Sequence, residues 1–285
     1  MNPILFEPVL MFKSYLVSPL TWFFFVVGAI VGSFLNVCIF RIPEGSFWKQ
    51  ARSICRSCGK PIPIWLNIPI ISFLYLRGRS KCCDHKLSWQ YLGVELFTGF
   101  IFIVLYWKFP FISLDNRDSM FDPKDMIRFF HAAIFLSILI TCSVIDIHLK
   151  IIPDVISLPM IVATPLVIYL HPELSWQSGL LGVLLGGGSL FLIAWIYWLL
   201  RHQVGMGMGD VKLLAGIGGW LGYQAVFPTI LVGSISGSVV GLIGLLVTRN
   251  MALSAKIPFG PFLAFGAVIH LLFGAQLQEL LIVPR

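Results

Sequence analysis

Residues 129–146 read FFHAAIFLSILITCSVID, an apolar run that ends on a carboxylate. A second acid, Asp210, follows the glycine-rich stretch GMGMG at residues 205–209 and opens another apolar run. Ionisable groups that border membrane segments are costly to place there and are usually functional. The two stretches therefore indicate membrane helices that carry a pair of aspartates, Asp146 and Asp210.

Composition indicates an all-α, polytopic integral membrane protein. Of the 285 residues, 58% are hydrophobic and 12% are charged, and the mean hydropathy is +0.89. A soluble domain of this length does not carry such a composition. We expect the first long apolar run to stay uncleaved, because no small-residue cleavage site precedes a polar region.

The apolar runs predict a bundle of about eight transmembrane helices. The sixth run is short, so an alternative interpretation merges it with the seventh and leaves seven spans. The predicted spans are Thr21–Phe40, Tyr91–Phe109, Phe129–Ile147, Val155–Leu170, Gly179–Leu200, Val211–Tyr223, Ala225–Val247 and Phe259–Phe273.

The net charge of +7 is concentrated in the long loop between the first two spans. By the positive-inside rule that loop is cytoplasmic, and the N-terminus lies outside. This placement favours a membrane protein over a nucleic-acid-binding one. The loop cations are Arg41, Lys49, Arg52, Arg56, Lys60, Arg77, Arg79, Lys81 and Lys86.

The remaining charges alternate in the same sense. An acidic loop falls outside, whereas five later cations fall inside, on the side where Asp146 and Asp210 also end. The agreement supports a meeting of the two aspartates at the cytoplasmic side. The acids are Asp115, Asp118, Asp122 and Asp125, and the cations are Lys150, Arg201, Lys212, Arg249 and Lys256.

Three segments are predicted. Residues 1–40 form an N-terminal segment with the first transmembrane helix, residues 41–90 form a small cysteine-rich cytoplasmic module, and residues 91–285 form the remaining helical bundle. The module is too short to bury much apolar surface, so a metal ion is a plausible means of stabilising it.

Four cysteines of this module form a candidate zinc site: Cys55, Cys58, Cys82 and Cys83. Thiolate pairs at Cys-x-x-Cys spacing make tetrahedral zinc sites, and Cys55 with Cys58 has that spacing. The second pair does not, so either Cys82 or His85 is the fourth ligand. The alternative is four reduced thiols without metal. A zinc ion with four protein ligands would be structural, because no position stays open for chemistry.

Two carboxyl groups held close together can share one proton, which allows one to act as a general base and the other as an acid. Hydrolysis of an amide bond requires that pair of roles. Taken singly, each aspartate has a plainer interpretation: Asp210 suits a helix N-cap, and Asp146 suits a helix end among lipid headgroups.

Four ordered motifs resemble the type IV prepilin peptidases, the GxGD-type membrane aspartyl proteases of pilus assembly and type II secretion. Gly207 to Lys212 resembles the G-x-G-D-x-K signature, and Asp146 to Asp154 resembles the other aspartate motif. Gly32 to Pro43 resembles the end of the first span, and Pro258 to Pro261 the start of the last. Matches of Asn67-Ile68-Pro69, Arg77-Gly78 and Glu95 extend the resemblance nearly from end to end.

The resemblance implies that Asp146 and Asp210 are the catalytic pair and that Asp154 is not catalytic. Gly207 and Gly209 would let the backbone turn and aim Asp210. Lys212 would either hold a charge near the pair or extend its ammonium group to the membrane surface.

The implied substrates are prepilins or pseudopilins, cut at the cytoplasmic face of the bacterial inner membrane between a basic leader and an apolar helix. The larger family members also methylate the new N-terminus from S-adenosylmethionine, and the cysteine loop implies that activity here. Ser80 stands where those members have a cysteine, so a peptidase without methyltransferase activity is the alternative. A proton-coupled transporter that uses the two aspartates is a rival from another class.

Overall fold

The structure is a computed structural model that describes residues 18–47, 53–112, 121–203, 205–247 and 257–282. Within those ranges the regular structure is helical, apart from three isolated β-bridges, which pair Ile54 with Pro61, Arg79 with Lys86, and Ile112 with Phe121. The predicted all-α class is confirmed. Of the charges used to orient the chain, those at Lys49, Arg52, Asp115, Asp118, Arg249 and Lys256 lie outside the described residues.

The described residues form ten α-helices. The first four are α1 (Pro19–Arg41), α2 (Ile71–Tyr75), α3 (Trp89–Lys108) and α4 (Pro123–Leu149). The remaining six are α5 (Asp154–Val162), α6 (Thr164–Leu170), α7 (Trp176–Arg201), α8 (Met208–Leu221), α9 (Val226–Val247) and α10 (Gly260–Ile282). Short 3₁₀ turns occur at Ile64–Asn67 and Tyr223–Ala225.

In the part of the chain that the structure describes, five segments are long and apolar enough to cross a bilayer: α1, α3, α4, α7 and Tyr223–Val247. Only 6% of the apolar window in Tyr223–Val247 is buried inside the protein, so its apolar side chains need lipid around them. The chain is therefore a multi-pass membrane protein. Helices also cover the other three predicted spans, but the total of eight crossings stays a prediction.

The fourth predicted span, Val155–Leu170, consists of two short helices. Helix α5 ends at Val162, Ala163 caps it, and α6 begins at Thr164 with Pro165 in its first turn. Proline has no N–H to donate to the preceding turn, which interrupts a continuous helix. The junction between α8 and α9 is also sharp, because Gly222 there has φ of 85°.

The chain divides into two compact units, residues 1–133 and 134–285. In the first unit, α1 and α3 pack closely because Gly28 and Gly32 leave room for the partner helix: a Cβ at Gly28 would lie 2.8 Å from Phe102. Rings of Phe24 and Tyr106 stack at 4.5 Å, and Phe129 lies 5.0 Å from Phe24.

In the second unit, α7 and α8 approach until their backbones touch. A Cβ at Gly182 would collide with the backbone of Gly218, and one at Gly186 with the backbone of Leu214. This confirms that small residues spaced by four allow close helix approach. The pair holds α8, and with it Asp210, against the bundle.

Gly182→Ala is expected to destabilise the protein by about 1–3 kcal/mol, because the new methyl group must displace backbone atoms. Gly188→Ala is the matched control on the same helix, where nothing lies within 4 Å of the added Cβ. That change should stabilise by about 0.4–1 kcal/mol through the unfolded chain. Thermal unfolding in detergent measures both, and equal shifts for the two variants would contradict the close packing.

Candidate active site

Asp146 lies in the last turn of α4, which ends at Leu149. Lys150 adopts a left-handed conformation, with φ of 56°, and its N–H donates to the Asp146 carbonyl at 2.8 Å. The Asp146 side chain is only 5% exposed. A buried carboxylate requires a hydrogen-bond donor.

That donor is the backbone of Gly260, whose N–H lies 2.9 Å from Asp146 Oδ2. Gly260 is the first residue of α10, and the positive end of a helix dipole favours a carboxylate there. A Cβ at this position would lie 2.8 Å from the same oxygen. Glycine is therefore the residue that allows this approach.

Asp210 lies in the first turn of α8, and Gly207 is the N-cap residue of that helix. The Asp210 N–H donates to the Gly207 carbonyl at 3.2 Å, and its side chain is partly exposed. Asp210 is thus the third residue of the helix rather than its cap.

Ile152 connects the two aspartate segments. This largely buried side chain lies 2.9 Å from the Cβ position of Gly209 and 3.2 Å from that of Gly260. Gly260 in turn donates its N–H to Asp146, and Gly209 is the residue directly before Asp210. The structure therefore brings Asp146 and Asp210 to one site at the ends of α4, α8 and α10.

The two glycines before Asp210 have different surroundings. Neither Gly207 nor Gly209 has a positive φ, so other residue types can adopt the backbone conformation at both positions. At Gly207 the added Cβ meets nothing closer than 3.8 Å, whereas at Gly209 it presses on Ile152. Gly209 is needed for close packing rather than for a turn.

Lys212 forms an ion pair with Asp154, with Nζ 2.7 Å from Oδ1. The pair joins α8, which carries Asp210, to the start of α5, the helix that follows the Asp146 segment along the chain. The sequence predicted Lys212 either beside the aspartate pair or at the membrane surface. The structure instead shows its ammonium group bound to the Asp154 carboxylate, a partner that neither prediction included.

The site offers one buried carboxylate with a fixed backbone donor and one carboxyl that reaches solvent. This asymmetry suits a pair in which one group stays ionised and the other holds a proton. A water molecule activated at such a pair can attack an amide carbonyl. The sequence alone did not assign Gly260 or Ile152 to the site; Pro261, which favours a helix start at Gly260, was the available signal.

The four cysteines form a cluster in the first unit, with all four Sγ atoms within 4.8 Å of one another. Cys55 and Cys83 are 3.6 Å apart, Cys58 and Cys82 are 3.0 Å apart, and Cys82 and Cys83 are 4.0 Å apart. Zinc–sulfur bonds of about 2.3 Å in a tetrahedron give sulfur separations of about 3.8 Å. The four thiols therefore fit a closed zinc site, with Cys82 rather than His85 as the fourth member.

Each half of the cluster is a tight turn closed by an isolated bridge. Ile54 pairs with Pro61 around Cys55 and Cys58, and Arg79 pairs with Lys86 around the other two cysteines. Gly59 and Asp84 take positive φ values of 70° and 53° in these turns.

Ser80 touches two of the thiols, with Oγ 3.2 Å from Cys55 Sγ and 3.0 Å from Cys82 Sγ. Its hydroxyl lowers the pKa of the Cys55 thiol to about 5, which favours the thiolate that binds metal. Hydrogen bonding with Cys82 instead raises the pKa of the Cys58 thiol to about 12. Ser80 therefore contributes hydroxyl contacts to the cluster, although the sequence pattern indicated only that a cysteine was absent at this position.

Comparison with known proteins identifies the family of the chain. A family model described as the bacterial peptidase A24 N-terminal domain matches residues 26–109, and one described as the type IV leader peptidase family matches residues 133–242. A prepilin leader peptidase/N-methyltransferase of Pseudomonas putida is 31% identical over 277 residues, covering 88% of this chain and 90% of its own. The chain belongs to the type IV leader peptidase family.

Other relatives in the family carry the same name. That of Pectobacterium carotovorum is 34% identical over 281 residues, covering 89% of this chain and 94% of its own. That of Pseudomonas aeruginosa is 32% identical over 280 residues, covering 89% and 90%. No solved structure gives a significant match. Membership of the type IV leader peptidase family makes the chain a peptidase, and the second family model includes both Asp146 and Asp210.

Gly209→Ala is expected to lower peptidase activity by about 100-fold, because its methyl group pushes α8 away from Ile152 and misplaces Asp210. Gly207→Ala is the matched control two residues away, and it should stay close to the wild type. Initial rates of leader removal, measured with equal amounts of folded protein, compare them. Equal losses, or a greater loss at Gly207, would show that contact with Ile152 does not position Asp210.

Cys82→Ser is expected to lose most of the zinc bound to the purified protein, because three thiolates remain where four are needed. His85→Ala should keep its zinc, and Cys55→Ser gives the reference loss. Elemental analysis of metal per protein distinguishes the two candidate ligands. Full zinc content in Cys82→Ser together with loss in His85→Ala would assign the fourth ligand to histidine.

Proposed function

We propose that the chain is a membrane aspartyl endopeptidase that removes the basic leader from type IV prepilins or type II secretion pseudopilins. Cleavage takes place at the cytoplasmic face of the bacterial inner membrane, and methylation of the new N-terminus follows. Family membership and the names of the relatives, prepilin leader peptidase/N-methyltransferase, support this assignment.

One observation carries the peptidase part: buried Asp146 accepts a hydrogen bond from Gly260 beside the segment that bears Asp210. A structural role alone does not require a carboxylate at such a cost in desolvation. Two acids of unlike environment, close to one another, supply the acid and the base that amide hydrolysis needs.

In the proposed mechanism Asp146 is the base, because the Gly260 N–H and the N-terminus of α10 stabilise its ionised form. A water molecule gives its proton to Asp146 and attacks the scissile carbonyl carbon, while Asp210 donates a proton to the carbonyl oxygen. The resulting diol collapses as the C–N bond breaks. Asp146 then protonates the leaving amine, and Asp210 takes back a hydroxyl proton.

The membrane brings the substrate to this site. Asp146 and Asp210 lie at helix ends, where the eight-span topology puts the cytoplasmic surface. A prepilin carries an apolar helix directly after its leader, so insertion of that helix would present the scissile bond at the same depth. The multi-pass character of the chain supports this route.

For the second activity, S-adenosylmethionine supplies the methyl group that is transferred to the new amine, and we assign no residue to its binding. Zinc would be held by Cys55, Cys58, Cys82 and Cys83 and would stabilise the cytoplasmic module. The alternative, a peptidase without methylation, was suggested by Ser80. Recruitment of Cys82 to the cluster favours an intact module instead.

Mass spectrometry of a co-expressed prepilin tests the aspartates. Asp146→Asn and Asp210→Asn are each expected to lower leader removal by about 100- to 10,000-fold, because each removes one proton-transfer group. Asp154→Asn is the matched control and should cost about fivefold or less, since it breaks only a partly exposed ion pair. Substantial cleavage by either of the first two variants would contradict the proposed pair.

The same spectra report methylation by the wild-type protein. The mature pilin is expected to carry the mass of one added methyl group at its N-terminus. A correctly cleaved product without that mass would leave the peptidase proposal intact and establish the peptidase-only alternative.

A further inference from the structure

A set of exposed apolar side chains in the cysteine-rich module points to a second contact with the membrane. Ile71, Leu74 and Tyr75 are 63%, 61% and 78% exposed, and their spacing puts them on one face of α2. Trp65 and Ile68, just before the helix, are also exposed. We call these five residues the apolar face. A polar loop in water would turn such residues inward.

The inward side of α2 is already occupied. Phe73 is buried, packs on the Trp89 ring at 5.3 Å, and lies 3.2 Å from the Cβ position of Gly78. Rotating the helix to hide the apolar face would expose Phe73, so the outward orientation is built into the packing of the module.

A hydrogen bond fixes the depth of α2 relative to a membrane helix. The N–H of Ile70, directly before α2, donates to Glu95 Oε2 of α3 at 2.8 Å. Glu95 lies six residues into α3, about 9 Å along its axis from Trp89 at 1.5 Å per residue. The bond therefore holds α2 beside the first turns of α3. Since α3 is long and apolar enough to cross a bilayer, those turns would occupy the interfacial region of a membrane that α3 spans.

The exposed apolar surface of α3 continues this region. Trp89, Phe97 and Phe100 are all largely exposed on α3. Tryptophan and tyrosine are enriched where membrane helices meet water, and Trp65, Tyr75 and Trp89 supply that chemistry here. This continuity favours lipid over a protein partner as the occupant of the apolar face.

Beside α2 lies a cationic cavity of about 270 Å³, lined by Phe73, Arg77, Gly78, Arg79, Lys86, Leu87 and Trp89. Arg79 is paired with Asp84 at 2.6 Å. Among the described residues, neither Arg77 nor Lys86 forms an ion pair, and none of the lining residues is acidic. A guanidinium group and an ammonium group in one cavity suit a phosphate.

We propose that residues 65–89 lie on the bilayer surface, with the apolar face among the acyl chains and the cationic cavity holding the phosphate of an acidic phospholipid. Segments that bind at a membrane interface combine apolar side chains, which enter the acyl region, with cations, which attract anionic headgroups, and both lie side by side here. This anchor is independent of the peptidase chemistry, and it would hold the cysteine cluster at the membrane surface.

Photo-cross-linking of the full chain tests the apolar face. Benzoylphenylalanine replaces Leu74, and the protein is irradiated in nanodiscs of phosphatidylcholine and phosphatidylglycerol. Mass spectrometry should find phospholipid joined to position 74. The same probe at exposed Ser57, between Cys55 and Cys58, should give no lipid adduct. Absence of lipid at 74, equal lipid yields at both positions, or adducts at 74 with a second copy or an added prepilin would overturn the proposal.

Lipid retention tests the cavity. Phosphatidylglycerol that remains bound after transfer to detergent is counted by native mass spectrometry. Arg77→Ala and Lys86→Ala should each lower retention by about fivefold, whereas Lys60→Ala, an exposed cation of the same module, should leave it unchanged. Excess inorganic phosphate should not displace the lipid. Undiminished retention in both cavity variants, equal loss in Lys60→Ala, or displacement by phosphate would contradict an acidic-lipid site.

Discussion

The hydrogen bond from Gly260 to Asp146 is the interaction on which the site depends. It joins the end of α4 to the start of α10, and it supplies a fixed donor to a largely buried carboxylate. Ile152 packs against the same glycine and against Gly209. Gly260 thus contacts both Asp146 at the end of α4 and Ile152, and Ile152 in turn contacts Gly209 at the start of α8. This packing positions Asp210, the residue after Gly209. The proposed chemistry depends on the fold for this one arrangement, in which the ends of α4, α8 and α10 meet.

The sequence was sufficient to predict the helical class and the location of the two acids, because both follow from short-range patterns. Apolar runs of membrane length predict helices, and an acid at the end of such a run is conspicuous. The break of the fourth run at Ala163 was missed because apolarity continues through Pro165. A hydropathy pattern reports burial in lipid and not the continuity of hydrogen bonds.

The parts of the site that escaped prediction depend on contacts between distant residues. Gly260 and Asp146 are 114 positions apart, and nothing local in either segment specifies their bond. The partner of Lys212 was equally hidden, because an ion pair with Asp154 depends on how α5 and α8 pack. The cysteines illustrate the same limit: spacing suggested a broken zinc motif, whereas the two turns bring Cys82 to the place that the spacing left empty. Ser80 beside it contributes a hydroxyl contact instead.

The central claim is that Asp146 and Asp210 lie close enough to share one water molecule, and cysteine cross-linking in intact membranes tests it most directly. Both residues are changed to cysteine and treated with a short bifunctional thiol reagent, and mass spectrometry identifies which positions are joined. Asp154→Cys with Lys212→Cys is the positive control, because those side chains form an ion pair at 2.7 Å. The account predicts a 146–210 cross-link as abundant as the 154–212 product. A strong 154–212 product without any 146–210 link would contradict it.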